Sequence, residues 1–468
     1  MKKLVGCSMS VVLLILVMVV TNSFAHGTKN CSYNSVVPNP NVIGPIPANV
    51  PLGNPTHDYT FLTPDIDLFS YGYVQEEFFI EGNAYRYNTP TGATGSIKDG
   101  PYPYKSRIVV RRPISRKDFN GTVLLEWANV TASYDNDSHW GVSWKHFMRS
   151  GYAWVSVSAQ RVGVHAAVTG LKEWSPTRYG SLDVTAGGTI MDDGLCYDIY
   201  VQAAKAIQCP QGIDPMGGLP VKLLIAMGAS QSASRLVVYY NSIQPLHNFF
   251  EAYYFLVGGT GLRTDLNVKK FQVLTETDLL FLGAANGRQP DTDTFHSWEI
   301  AGSGHSGYIS FLYRLPLRQR DNIAITTSES ACLYPAYTRT PSNAVINAAY
   351  DYLVRWVKHG IRPPSAPKIE ITSLGPPVVI ARDSLGLAKG GIRLPQISVP
   401  TALNNGTNGG PSFCILYGTY LPFDQATLEA LYPSHNDYVR AFNHAVMEIL
   451  KAGYIVKEDA EEMFVEAP

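Results

Sequence analysis

The sequence predicts an α/β protein built on a mostly parallel sheet of eight strands with helices on both faces. Three observations carry this. Short apolar runs with the reach of buried strands alternate with helical periodicity through the second half of the chain, the pattern of a covered parallel sheet. Of the 468 residues 45% are apolar and only 16% charged, enough for a large packed core, as one big domain with insertions or as two smaller ones. The run Leu223-Leu224-Ile225-Ala226-Met227-Gly228-Ala229-Ser230-Gln231-Ser232-Ala233 is an apolar strand that ends in small-x-Ser-x-small and turns into a helix.

Strands are expected at residues 77–87, 106–111, 122–127, 152–158, 221–227, 249–257, 271–275 and 298–301. A short Gly/Pro loop rather than a helix joins the first two, so they form an antiparallel edge. Helices are expected at 191–207, 232–240 and 344–359; the last has Ser342 as its cap, and Gly360 followed by Pro363-Pro364 as its stop. Beyond Pro364 about a hundred residues remain, ending in amphipathic helices at 424–432 and 437–451 that pack on the core or form part of a lid.

Lys2 and Lys3, the apolar run from Val11 to Val20, and Ser23-Phe24-Ala25 read as a secretory signal peptide cleaved after Ala25. An uncleaved anchor is the alternative, and the shortness of the run argues against it. The expected organisation is therefore a signal over 1–25, a core over 26–364 and a C-terminal extension over 365–468, in a secreted protein with no membrane span after processing. Five sequons, beginning at Asn30, Asn120, Asn129, Asn136 and Asn405, suit a secreted glycoprotein. Removal of Cys7 with the signal leaves Cys31, Cys196, Cys209, Cys332 and Cys414, an odd number, so at least one thiol stays unpaired. Cys196 and Cys209 are too far apart along one helix to bond to each other; a Cys332–Cys414 bridge fits without being required.

Lys and Arg number 37 against 38 Asp and Glu, which excludes the strong basic field of a nucleic-acid or anionic-membrane binder. HExxH, CxxC and His-x-His clusters are missing, as is a GxxxxGK phosphate loop, so no metal or cofactor is expected.

The small residues around Ser230 have a physical purpose. A strand-to-helix turn that thrusts a hydroxyl out of a sheet strains the backbone, and only small neighbours two residues away avoid collision. Ser230 is thus the candidate nucleophile, with Ser232 standing where glycine is commonest. Enzymes with such an elbow take their acid from the turn after a later strand and their histidine from the loop after the last. Here the strand at Phe271 runs into Glu276-Thr277-Asp278, and the strand at Trp298 into Gly302-Ser303-Gly304-His305. His305 is the candidate general base. Asp278, two residues deeper into the turn, is the preferred acid; Glu276 is the alternative, and the loser serves as a structural acid bonding the loop. The oxyanion hole is expected from the backbone N–H of Gln231 and from the loop at Ala128-Asn129-Val130, with Asn129 and Val130 as candidates. That placement requires Asn129 to be buried and unglycosylated despite its sequon.

The chain resembles the α/β-hydrolase domain-containing family of exported proteins with a Gly-x-Ser-Gln-Ser elbow. The likeness includes Glu126-Trp127-Ala128-Asn129-Val130, Gly151 through Gln160, Arg178-Tyr179-Gly180-Ser181-Leu182, Glu276-Thr277-Asp278, Trp298 through Gly302 with His305, Trp356-Val357 to Pro364, and Gly390-Gly391-Ile392-Arg393-Leu394-Pro395. The resemblance implies an α/β-hydrolase fold with a C-terminal extension, and puts Ser230 and His305 at the nucleophile and base positions; it supplies no substrate. Ala128 stands where Leu is more usual, and His139-Trp140 depart from a Pro-Asp-Trp-like stretch.

The expected activity is that of a secreted serine hydrolase that cleaves a small-molecule carboxylic ester through an acyl-enzyme. The rivals are a catalytically inactive hydrolase-fold binding protein, and an acyl-transfer or elimination enzyme of small-molecule metabolism.

Overall fold

The computed structural model describes residues 36–324 and 328–466. The expected signal peptide, Cys31 and the Asn30 sequon lie outside them. The central sheet is formed by β1 (Asn41–Ile43), β2 (Tyr73–Asn88), β3 (Ser96–Pro113), β4 (Thr122–Trp127), β5 (Ala153–Val157), β6 (Leu223–Ala229), β7 (Ala252–Leu256), β8 (Lys269–Thr275) and β9 (Phe295–Ile300), in the spatial order β1-β2-β3-β5-β4-β6-β7-β8-β9. Antiparallel pairing is confined to β1, β2 and β3, with β3 also antiparallel to β5; from β5 to β9 every neighbour is parallel. The eight expected strands are all present.

To them the structure adds a ninth. β1 is three residues in a Pro-rich stretch, too short for an alternation signal, and it covers the edge of β2 with Val42 opposite Ile80. β2 and β3 also run further than expected, because their hairpin keeps pairing out to Asn88 opposite Ser96, among polar residues. β4 (Thr-Val-Leu-Leu-Glu-Trp) and β6 (Leu-Leu-Ile-Ala-Met-Gly-Ala) are buried at every position, as strands covered on both faces must be.

Helices α1 (Ser138–Arg149), α2 (Cys196–Gln208), α3 (Gln231–Val238), α4 (Glu276–Phe281), α5 (Tyr308–Arg320) and α6 (Ser342–His359) connect or cover these strands. At α6 the cap position is Pro341, not Ser342, which is already helical; Gly360 closes the helix at φ 70°. One core lies around Trp127, Val155, Tyr200 and Tyr253 and another around Trp140, Tyr254, Trp298 and Tyr350. The C-terminal helices α7 (His435–Lys451) and α8 (Lys457–Glu466) bury Tyr438, Phe442, Val446 and Met463 in the second core. They pack on the body of the protein.

Two devices hold the outlying segments. Glu77, fully buried, accepts from Arg107 Nε (2.5 Å), Arg178 Nε (2.6 Å) and Tyr179 Oη (2.7 Å), while Arg178 also donates to the carbonyls of Ile46 and Pro47. Desolvated charges of this kind are tolerated only when paired and fully bonded. Cys332 is disulfide-bonded to Cys414 across 82 residues; Cys196 is a free, buried thiol, and Cys209 is also disulfide-bonded.

Candidate active site

The elbow is tight. β6 ends at Ala229, and Ser230 follows at φ 56°, ψ −118°, a conformation that L-residues avoid unless the surroundings impose it. A Cβ at Gly228 would lie 2.8 Å from the Ser232 carbonyl oxygen and 2.9 Å from the Ala233 nitrogen, so the strand can pass the helix only as glycine there. Ser232, standing in a glycine-like position, uses its hydroxyl: Oγ accepts from the Ala229 N–H and donates to the Ala229 carbonyl, both at 2.9 Å. The hydroxyl braces the turn from inside.

Ser230 Oγ lies 2.9 Å from His305 Nε2, and His305 Nδ1 lies 2.6 Å from Asp278 Oδ1. The other Asp278 oxygen accepts from the Thr275 N–H (2.7 Å) and the Thr275 hydroxyl (2.8 Å), closing a capping box at the start of α4. A carboxylate against Nδ1 assigns the ring proton to that nitrogen and leaves Nε2 to accept from the serine. The side chains of His305 and Asp278 are 7% and 1% exposed, so the pair is shielded from water. The His305 N–H donates to Thr277 Oγ1, which in turn donates to the Gly406 carbonyl, and the Gly302 carbonyl accepts from Thr340 Oγ1.

Glu276 does not touch the imidazole. Its Oε1 accepts from the Gly302 N–H (2.5 Å), and its Oε2 from the Gly406 N–H (3.1 Å) and Arg382 (3.0 Å). Two residues apart on a helix, Glu276 and Asp278 point about 200° from each other, so only one can face the histidine. As the alternative acid, Glu276 is therefore corrected to a buried brace between the histidine loop and the C-terminal segment.

The three oxyanion candidates separate. Gln231 is the first residue of α3, and its N–H has no partner within the helix. The main-chain N–H of Asn129 is committed to the Asn136 carbonyl at 3.1 Å, so Asn129 is corrected from donor to support. The residue is 5% exposed and its side chain is locked: Nδ2 donates to the Ala229 carbonyl at 2.9 Å, and Oδ1 accepts from the Thr131 N–H at 3.0 Å. This ties the loop after β4 to the elbow. The Val130 N–H meets only the Gln231 side-chain oxygen, at a long 3.4 Å, while the Gln231 amide donates to Gln160 Oε1 at 3.0 Å.

A cavity of about 570 Å³ opens over Ser230 and His305, walled by Val142, Leu256, Val257, Phe311, Leu315, Tyr337, Phe413, Leu416 and Tyr417. Arg314, Arg318 and Glu329 supply its charge. The sequence reading missed this wall. Pro316 inside α5 masks the helical pattern, and Phe413–Tyr417 arrive from the far end of the chain, held by the Cys332–Cys414 bridge.

Beneath the sheet edge lie ionisable groups outside this series. Burial pushes the Glu126 carboxyl up to about 8 although it accepts from the His139 N–H and Trp154 Nε1, and burial pushes His139 down to about 3. Among the described residues no cluster of three or more His, Cys, Asp or Glu could hold a metal ion, and no helix is long and apolar enough to cross a membrane.

Among curated proteins no sequence matches. Solved structures to which the chain is similar include a Bacteroides fragilis protein assigned as an acetyl xylan esterase (11% identity, 56% of each chain covered, TM-score 0.26). Others are dienelactone hydrolase from Anabaena variabilis (14% identity, 51% of this chain and 96% of that one, TM-score 0.29) and esterase Est22 (13% identity, 54% and 78%, TM-score 0.30). The chain thus spans about half the length of the first of these. The sequence profile of the alpha/beta hydrolase domain matches residues 44–465, and the protein described here belongs to that family.

Proposed function

We propose that the protein is a secreted serine hydrolase that cleaves small-molecule carboxylic esters through an acyl-enzyme on Ser230. The observation that supports this reading is the hydrogen-bonded series Ser230–His305–Asp278 at the floor of a mostly apolar cavity. In the proposed cycle Ser230 Oγ attacks the ester carbonyl while its proton passes to His305 Nε2. Asp278 holds the Nδ1–H and stabilises the imidazolium that forms. His305 then protonates the leaving alcohol, and a water activated by the same nitrogen releases the acid.

The negative charge on the carbonyl oxygen falls to the N–H groups of Gln231 and Val130. The 3.4 Å contact from the Val130 N–H to the Gln231 side chain is long, so a substrate oxygen displaces it at little cost. Asn129 acts indirectly, fixing the Val130 loop against Ala229.

The test is Ser230→Ala assayed on p-nitrophenyl esters of increasing acyl length. Turnover should fall on the order of 10⁴-fold or more, as for triads that act as a unit. Activity that survives the change would remove Ser230 from the chemistry.

A further inference from the structure

Helix α5 begins three residues after His305 and lays Phe311, Arg314, Leu315 and Arg318 along the cavity, the spacing of one helical face. Two cations on the wall of an otherwise apolar cavity call for an explanation, because a guanidinium does not lose its proton. Arg314 and Arg318 are half-buried; the arginines buried more deeply are matched by acids, Arg107 and Arg178 by Glu77, and Arg111 by Asp137. Arg314 and Arg318 are not so matched. Among the described residues neither has a carboxylate within 4.0 Å. Arg314 donates only to neutral oxygens, the Ser310 carbonyl at 3.1 Å and Ser306 Oγ at 2.8 Å. Arg318 donates to the Ala324 carbonyl, and its Nε is buried with no partner. The one acid on the cavity wall, Glu329, is exposed and forms no ion pair with either.

A buried donor without an acceptor and two uncompensated charges on the wall of the cavity that holds the nucleophile are the preparation for a ligand oxygen. We infer that Arg314 and Arg318 bind a carboxylate on the substrate, so that the preferred esters are anionic. This rests on the esterase reading above and names its substrate class. Arg314 is fixed to Ser306, the residue after His305, so the anion is held close to the reacting bond, on either the acyl or the alcohol part of the ester.

Two pairs of probes distinguish the two parts. For the acyl side, kcat/KM is measured for monoethyl adipate and for ethyl hexanoate; for the alcohol side, for 4-acetoxybenzoate and for its methyl ester. In at least one pair the anion should be favoured by tenfold or more, mainly through KM. Arg314→Gln and Arg318→Gln should each cut that anionic-to-neutral ratio about tenfold, and Arg314→Lys, which keeps the charge, should restore part of it. Should one glutamine variant fail to fold, the other and the lysine variant still read the ratio. Neutral esters cleaved as well as anionic ones in both pairs, or a ratio unmoved by the variants, overturns the inference and leaves the esterase reading standing. No cleavage of any of the four by wild-type protein removes that reading, and the inference with it.

Discussion

Replacing Asp278 by Asn separates the two acids of the turn after β8. Asp278 is ringed by donors: the His305 Nδ1–H at 2.6 Å, the Thr275 N–H at 2.7 Å and the Thr275 hydroxyl at 2.8 Å. An amide of the same shape offers one oxygen and one NH₂. If the oxygen stays with Thr275, the NH₂ faces Nδ1, which must then give up its proton and accept. The proton moves to Nε2, and the nitrogen that should take the Ser230 proton becomes a donor. The expected loss in kcat is on the order of 10⁴-fold, about 5 kcal/mol of transition-state stabilisation, with the protein still folded. Glu276→Gln should do the opposite. It leaves Arg382 and the Gly406 N–H facing an amide in a buried position, a destabilisation of about 3 kcal/mol, with kcat within about tenfold of wild type. Stopped p-nitrophenyl ester assays paired with thermal melts read both quantities. An Asp278→Asn protein with near-normal kcat, or a Glu276→Gln protein that melts normally but is inactive, refutes the assignment.

Three further outcomes follow from the same geometry. The Glu126 carboxyl, raised by burial to about 8, binds its proton more tightly in the folded than in the unfolded chain. Its contribution to stability is therefore full below the unfolded value near 4.5 and is lost as pH rises towards 8, at up to about 1.4 kcal/mol per pH unit. Glu126→Gln should flatten the melting temperature between pH 5 and 8 relative to wild type, and an unchanged slope would show that Glu126 does not carry it. Gly228→Ala drives a methyl group against the Ser232 and Ala233 backbone and should cost on the order of 2 kcal/mol or more in denaturant unfolding; a neutral result would mean that the elbow has slack. Expressed in a secretory eukaryotic host, Asn129 should appear unglycosylated in peptide mass spectrometry, because both its side-chain groups are bonded inside the protein; a glycan there is incompatible with the described fold.

The sheet is legible in the sequence because parallel strands buried on both faces, such as Leu223–Ala229, are nearly continuous apolar runs. What escapes is what a one-dimensional pattern does not hold. β1 is three residues long, and α5 carries Pro316 within it, so neither shows periodicity. The order Ser230, acid, His305 is visible in the chain, but the choice between Glu276 and Asp278 depends on which way each leaves α4, and two residues of helix turn them apart. Asn129 is similar: its type and position suggest a donor, yet a bridge to Asn136 consumes its N–H, a pairing within a loop that carries no signal. Arg314 and Arg318 carry no signal in the sequence; only the fold sets them on the wall of the cavity that holds Ser230.

The central claim is that Ser230 becomes acylated during turnover. Quenching the reaction with a slowly deacylating p-nitrophenyl ester and mapping the protein by mass spectrometry tests it directly. One acyl group on the peptide containing Ser230, appearing at the rate of the p-nitrophenol burst and missing from Ser230→Ala, is the predicted result. Ester cleavage without any adduct, or an adduct on another residue, would contradict it.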